Sequence, residues 1–114
     1  MKRAQRGEVW LVDLGYLAKV RPGLVLSIPA EEQDRALVTL VPHTTSRRGS
    51  RFEVESRVRF LRPGVFDAQG LVTVSEAKLL RKLGKLSSEL LGAVEKSVRK
   101  WLDLPESPPR QLTN

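Results

Sequence analysis

Between Thr44 and Arg62 the chain carries Arg47, Arg48, Arg51, Arg57, Arg59 and Arg62, against only Glu53 and Glu55. Every base in this stretch is arginine. Guanidinium grips phosphate through two parallel hydrogen bonds and also stacks on flat rings, so an all-arginine patch favours nucleic acid over a merely solvated face. Upstream, Val20-Arg21-Pro22-Gly23 places an arginine at the mouth of an apolar run, where a rigid element could hold its planar fork against a phosphate. The plain alternative for Arg21 is an edge-strand base paired with a carboxylate. Pro42-His43-Thr44-Thr45-Ser46 sets three hydroxyls in a row, able to donate to phosphate oxygens. A Thr- and Ser-rich turn is the ordinary explanation for such a run. His43 has the right intrinsic pKa for acid–base work, but it precedes Thr44 on an extended segment. Successive side chains of a strand face opposite ways, which argues against a shared role for the two.

The elements that must position these groups are mostly strands. Glu8–Leu14, Leu24–Ile28, Ala36–Val41, Phe52–Val54, Arg57–Leu61 and Gly70–Ser75 are β-rich, either as continuous apolar runs or in alternation. Gly15, Pro22-Gly23, Gly49 and Pro63-Gly64 mark the turns between them. The last third is helical: Ser87 or Ser88 is a good N-cap, with Glu89 in the first turn. Leu90, Leu91, Val94, Val98, Trp101 and Leu102 form one apolar stripe, and Pro105 ends the helix. Segment 105–114 has three prolines and little apolar content, and is expected to be disordered. The order of elements predicts a mostly β, α+β fold: a curved antiparallel sheet, or partly open small barrel, closed by a C-terminal amphipathic helix. It predicts one domain over 1–104.

Composition narrows the partners. The chain has 114 residues, 20 Lys and Arg against 13 Asp and Glu, and a net charge of +7, which suits a polyanion. There is no cysteine and a single histidine, so thiolate and His-rich metal sites are excluded and no cofactor is expected. The first residues are basic but have no apolar run behind them, and no stretch reaches the ~18 apolar residues of a membrane span. The expectation is a cytoplasmic protein with no membrane partner.

Four segments in register resemble the MazF/PemK/Kid toxins. Gly7-Glu8-Val9-Trp10-Leu11-Val12-Asp13 is similar to their opening strand, and Arg21-Pro22-Gly23-Leu24-Val25-Leu26-Ser27 to their second. Val41-Pro42-His43-Thr44-Thr45-Ser46, followed by Phe52-Glu53-Val54, resembles their "VP-x-T" strand end and the strand after it. Gly84-Lys85-Leu86-Ser87 and the helix to Leu104 are similar to their closing segment. The resemblance spans about residues 6–104. It implies an SH3-like sheet of the CcdB/PemK kind, a homodimer, and a cognate antitoxin that lays an acidic segment into the RNA groove. It also implies metal-independent, sequence-selective cleavage of single-stranded RNA, leaving a 2′,3′-cyclic phosphate and a 5′-hydroxyl. Carried over by position, Arg21 and Thr44 become the catalytic pair. Thr45, Ser46, Arg47, Arg48, Arg51, Glu76 and Lys78 become RNA-binding residues.

The pair makes chemical sense. RNA carries its own nucleophile, and a fixed guanidinium with a hydroxyl aimed at the phosphoryl oxygens stabilises the charge that builds there. Arginine is effectively never deprotonated, so charge stabilisation suits Arg21 better than proton abstraction. Two departures from the family stand out. The connection 14–20 is shorter than in many relatives. Ser75-Glu76-Ala77-Lys78 replaces their acid–glutamine pair; there Glu76 could orient Arg21 or bind a base, or simply pair with Lys78. Two other classes compete: a gyrase-inhibiting toxin of the CcdB branch, whose apolar C-terminal tip is missing from Pro108–Asn114, and a non-catalytic RNA-binding module on the same fold.

Overall fold

The computed structural model describes residues 4–17 and 19–106. Seven strands run in the order β1 (Glu8–Asp13), β2 (Val20–Val25), β3 (Leu37–Thr44), β4 (Glu53–Ser56), β5 (Gly64–Asp67), β6 (Val72–Ser75) and β7 (Leu79–Lys85), followed by helix α1 (Ser88–Leu102). They make one antiparallel sheet ordered β4-β5-β3-β2-β1-β7, with β6 paired to β3 off that path. The sheet bends because β3 is long enough to serve three neighbours at different points. Leu37–Leu40 pair with β6, Leu40–Pro42 with β2, and His43 and Thr44 with β5. Register shifts between β1 and β7 at Val9/Trp10 and Leu11/Val12 add a local kink.

Alternation along the strands sends apolar residues to both faces. On one face Val9, Leu24, Val41, Phe52 and Phe66 pack with Val94 and Val98 of α1. On the other, Trp10, Val12, Val25, Val38, Leu40 and Leu79 form a second cluster that Val72 and Val74 help cover. Burying a side chain of this size contributes about 1.5–3 kcal/mol, so both clusters are needed to hold so small a domain. Glu8 ties the sheet to its margin. Burial alone would raise its pKa, but donation from the Gln5 amide and Trp10 Nε1, with Lys82 Nζ 3.0 Å away, holds the carboxyl below its usual range.

Helix α1 starts where its cap predicts. Ser87 Oγ accepts from the Leu90 amide at 3.1 Å, and Glu89 lies in the first turn. The helix ends before Pro105, at Asp103, which turns left-handed (φ 56°) and donates its N–H to the Arg99 and Lys100 carbonyls. Trp101 is 42% exposed yet stacks obliquely on Phe52. Arg6 anchors the N-terminal side by pairing with Glu95 and donating to the Leu26 carbonyl. No helix among the described residues is long and apolar enough to cross a membrane.

Several local expectations need correction. The second strand begins at Val20 and ends at Val25, so Pro22 and Gly23 lie in a strand and not in a turn. Pairing with β3 begins only at Gly23, so the missing N–H of Pro22 falls where β2 has one neighbour. Segment 57–61 is a turn, closed by Leu61 N–H to the Val58 carbonyl; its alternation seats Val58, Phe60 and Leu61 on the core from a loop. Gly64 opens β5, and Gly70 closes a short 3-10 turn, Ala68–Gly70, so the following strand starts at Val72. Strands β5 and β7 do not follow from the sequence patterning. Of the tail expected to be disordered, residues 107–114 lie outside the described residues.

Candidate active site

The β2–β3 register runs Val25↔Leu40, Leu24↔Val41, Gly23↔Pro42. The pairing stops there, and Arg21 and Thr44, each two residues beyond the last pair, line the same clefts. Gly23 makes the approach close: a Cβ there would lie 2.7 Å from Leu40 Cδ1. Gly64 does the same on the other flank, where a Cβ would sit 2.3 Å from the Thr44 carbonyl oxygen and 2.9 Å from His43 Cε1. Thr44 is thus held against β5, two residues beyond the last β2–β3 pair.

Two clefts open at these strand ends, and Arg21 and Thr44 line both. The first, about 530 Å³, lies on the face of the second core cluster. Leu14, Pro42, Val72 and Val74 form its apolar wall, and Ser46, Arg47, Arg48 and Asp67 its polar rim. The second, about 650 Å³, opens on the face that α1 covers farther along. His43, Thr45, Phe60, Leu61, Arg62 and Arg81 are among its walls.

The hydroxyl of Thr44 is oriented. Its Oγ1 accepts the Ser46 amide at 3.0 Å, which occupies a lone pair and leaves the O–H proton to be donated elsewhere. His43 points the other way, as alternation predicts. It is 3% exposed, edge-on to Phe66 at 5.0 Å, and its Nε2 has no hydrogen-bond partner among the described residues. Burial, helped by the charge of Arg47, pushes its pKa below the ordinary value, so the ring is neutral near pH 7.

The arginines are not equivalent. Arg47 lies on the first cleft but forks onto Glu55, with Nε and Nη2 at 2.7 and 3.0 Å from its two oxygens. That pair holds the Glu55 carboxyl below its usual range. Glu53 accepts the amides of Arg48, Gly49 and Ser50 and is held low in the same way, so it shapes the loop beneath Arg48. Arg51 stacks over Phe52 at 4.6 Å and lines neither cleft. Glu76 and Lys78 lie at the far end of β3. Ser75 pairs with Leu37, seven residues from Thr44, or roughly 23 Å at 3.3 Å per residue. No ion pair joins Glu76 to Lys78. The structure therefore brings Arg21, Thr44, Thr45, Ser46, Arg47 and Arg48 together and leaves Arg51, Glu76 and Lys78 apart. It adds Asp67, Phe60 and Arg81, which sequence patterning did not single out. Asp67 had a local signal, since it caps the turn that follows by accepting the Gln69 amide.

A family model for PemK-like, MazF-like toxins of type II toxin–antitoxin systems matches residues 5–102. The chain belongs to this family. Among solved structures, an endoribonuclease in complex with its cognate antitoxin, from a mycobacterial species, is 25% identical. Its TM-score is 0.75, over 93% of this chain and 99% of that one. The Mycobacterium tuberculosis toxin MazF-mt6 is 27% identical, with a TM-score of 0.74 over 87% of this chain and 99% of that one. A MazE–MazF structure from Deinococcus radiodurans, at 20% identity, shares the fold with a TM-score of 0.77 over 92% and 100% of the two chains. This PemK/MazF-like chain keeps the family's curved, open sheet and closing helix. Its β1–β2 connection is tight: Leu14 and Lys19 are hydrogen-bonded, as are Lys19 and Gly15, and Gly15 has a φ of 98°.

Proposed function

We propose that this toxin is a metal-independent, sequence-selective endoribonuclease acting on single-stranded RNA, with the scissile phosphate held between Arg21 and Thr44. The carrying observation is that these two residues, from adjacent strands, share the rim of two clefts that a single strand of RNA could enter. The 2′-hydroxyl attacks its own phosphorus, the bond to the 5′-oxygen breaks, and the products are a 2′,3′-cyclic phosphate and a 5′-hydroxyl. A proton leaves the 2′-oxygen and one reaches the departing 5′-oxygen. Arg21 stabilises the charge that grows on the non-bridging oxygens, and Thr44 donates its free O–H to one of them. Ser46 keeps that donor aimed, and Arg48 and Thr45 hold the flanking backbone.

In this reading the chain works as a homodimer in the cytoplasm. Its +7 charge draws a cognate antitoxin whose acidic, initially disordered segment fills the same clefts. The test is direct. With a long unstructured RNA and excess EDTA, the purified chain should produce discrete fragments ending in cyclic phosphate. Arg21→Ala should cut at least about 100-fold more slowly and Thr44→Val by a similar factor, with melting temperatures near that of the parent. Undiminished cutting by Arg21→Ala, or an RNA left intact by the parent chain, refutes the assignment.

A further inference from the structure

The second cleft enters that mechanism only through Arg21, Thr44 and Thr45, yet the rest of its lining has a specific chemistry of its own. Phe60 supplies a flat ring on a rigid seat. A Cβ at Gly84 would lie 2.5 Å from its Cε2, so the ring rests against the backbone of β7 while it also lines the cleft. Arg62 and Arg81 stand exposed at the rim, and among the described residues neither has a carboxylate partner. Leu11, Pro22 and Leu83 close the apolar wall. The cleft is continuous with the first through Arg21 and Thr44, which touch both.

An aromatic platform beside unpaired guanidiniums and next to a phosphate-holding pair is what a nucleobase and its backbone require. We infer that the second cleft is a nucleotide subsite: RNA crosses the ends of β2 and β3, with the nucleotide on one side of the cut seated on Phe60 and its backbone held by Arg62 and Arg81. This deepens the nuclease reading and rests on it. The neighbouring nucleotide on the other side of the phosphate enters the first cleft, so the two flanking positions are read on opposite faces of one sheet. The neutral His43 ring gives the floor of the subsite no charge of its own, which leaves stacking and the rim arginines to choose the base.

The experiment profiles cut sites in a pool of single-stranded RNA oligonucleotides with randomised positions, using the parent chain, Phe60→Leu and Arg62→Gln/Arg81→Gln. Phe60→Leu should lower base discrimination at one position flanking the cut by about tenfold and leave the other flank unchanged. The double arginine variant should weaken RNA binding and flatten its log–log salt dependence by about 1.4, the value for two lost phosphate contacts on a single strand. Both arginines are exposed, so this variant keeps the test alive if Phe60→Leu does not fold. Unaltered cut-site preference and salt slope overturn the subsite while the nuclease stands. So does a result in which the variants only loosen self-association in sedimentation velocity, which would mean that a second copy of the chain covers the cleft. A parent chain that cuts nothing removes the reading beneath the inference instead.

Discussion

The loop that joins β3 to β4 and the paired ends of β2 and β3 both carry arginine and hydroxyl groups, and they hold them differently. In the loop the polar groups answer one another. Arg47 forks onto Glu55, Glu53 gathers three consecutive amides, and Arg51 lies on Phe52. At the strand ends, Thr44 accepts one bond from Ser46 and keeps a proton to give, and Arg62 and Arg81 line the same cleft without a carboxylate partner among the described residues. The loop uses most of its charge to fold and leaves the Arg48 side chain to the first cleft; the strand ends present theirs to the second. Charge density along a sequence therefore overstates the surface that an anion can reach, and the functional face is found where donors remain after local bonds are made.

Within this comparison the largest effect should come from a glycine at the site, with a glycine of the loop as its control. Gly64→Ala drives a methyl group to within 2.3 Å of the Thr44 carbonyl, which is backbone and cannot swing away. The expected cost is about 1–3 kcal/mol, read as a lowered melting temperature. Displacing Thr44 by even a fraction of its length should slow RNA cleavage by up to about 100-fold. Gly49, in the loop, has φ 81° but open space where a Cβ would go. Gly49→Ala should cost about 1 kcal/mol of backbone strain and leave the cleavage rate close to that of the parent. Equal losses of activity in the two variants would erase the distinction between loop and site.

The same divide explains what could be read in advance. Strands β1 and β3 and helix α1 announce themselves because each is a long apolar or 3.6-periodic run with a defined stop. Strand β5 is four residues behind Pro63-Gly64, a pair that reads as a turn. Strand β7 carries exposed Leu80 and kinks where β1 shifts register, which spoils its alternation. Segment 57–61 alternates as a strand would, but its backbone turns at Leu61. At the site, family resemblance singles out Arg21 and Thr44, whereas their shared place on both clefts depends on how β2 and β3 run on past their last pair, Gly23↔Pro42. Phe60, Asp67 and Arg81 join them from three separate segments. Only tertiary packing makes such neighbours, so no local pattern could have grouped them with position 44.

A smaller and sharper test restores charge to the loop. Glu55→Gln removes the negative charge and one of the two acceptor oxygens that occupy Arg47, which already lines the first cleft. The freed guanidinium should strengthen binding of single-stranded RNA several-fold at low salt and steepen the log–log salt dependence by about 0.7, the value for one added phosphate contact. Thermal stability should hardly change, because the pair lies in solvent, where such contacts contribute little. Binding that weakens, or a salt slope that stays fixed, would mean that Arg47 serves the cleft through its pairing with Glu55.

The smallest expected effect concerns His43, the buried group on the reverse side of the strand that carries Thr44. Its pKa is lowered by burial and then by Arg47, while the unfolded chain's imidazole titrates near 6.5. Below that value the unfolded state takes up a proton that the folded state still refuses. The stability that His43 contributes is therefore present above about pH 6.5 and is lost as the pH falls through its lower folded value. The carboxyls of Glu8, Glu53 and Glu55 are held below their ordinary 4.5, so their losses come at more acid pH and leave the upper window to the imidazole. The melting temperature of the parent should fall as the pH drops from about 7 to 5, and that of His43→Gln should follow a flatter line. Arg47 stays charged throughout, so the slope reports the buried ring. Parallel profiles would show that protonated His43 is tolerated beside Phe66, and that the back of β3 is as open to charge as its front.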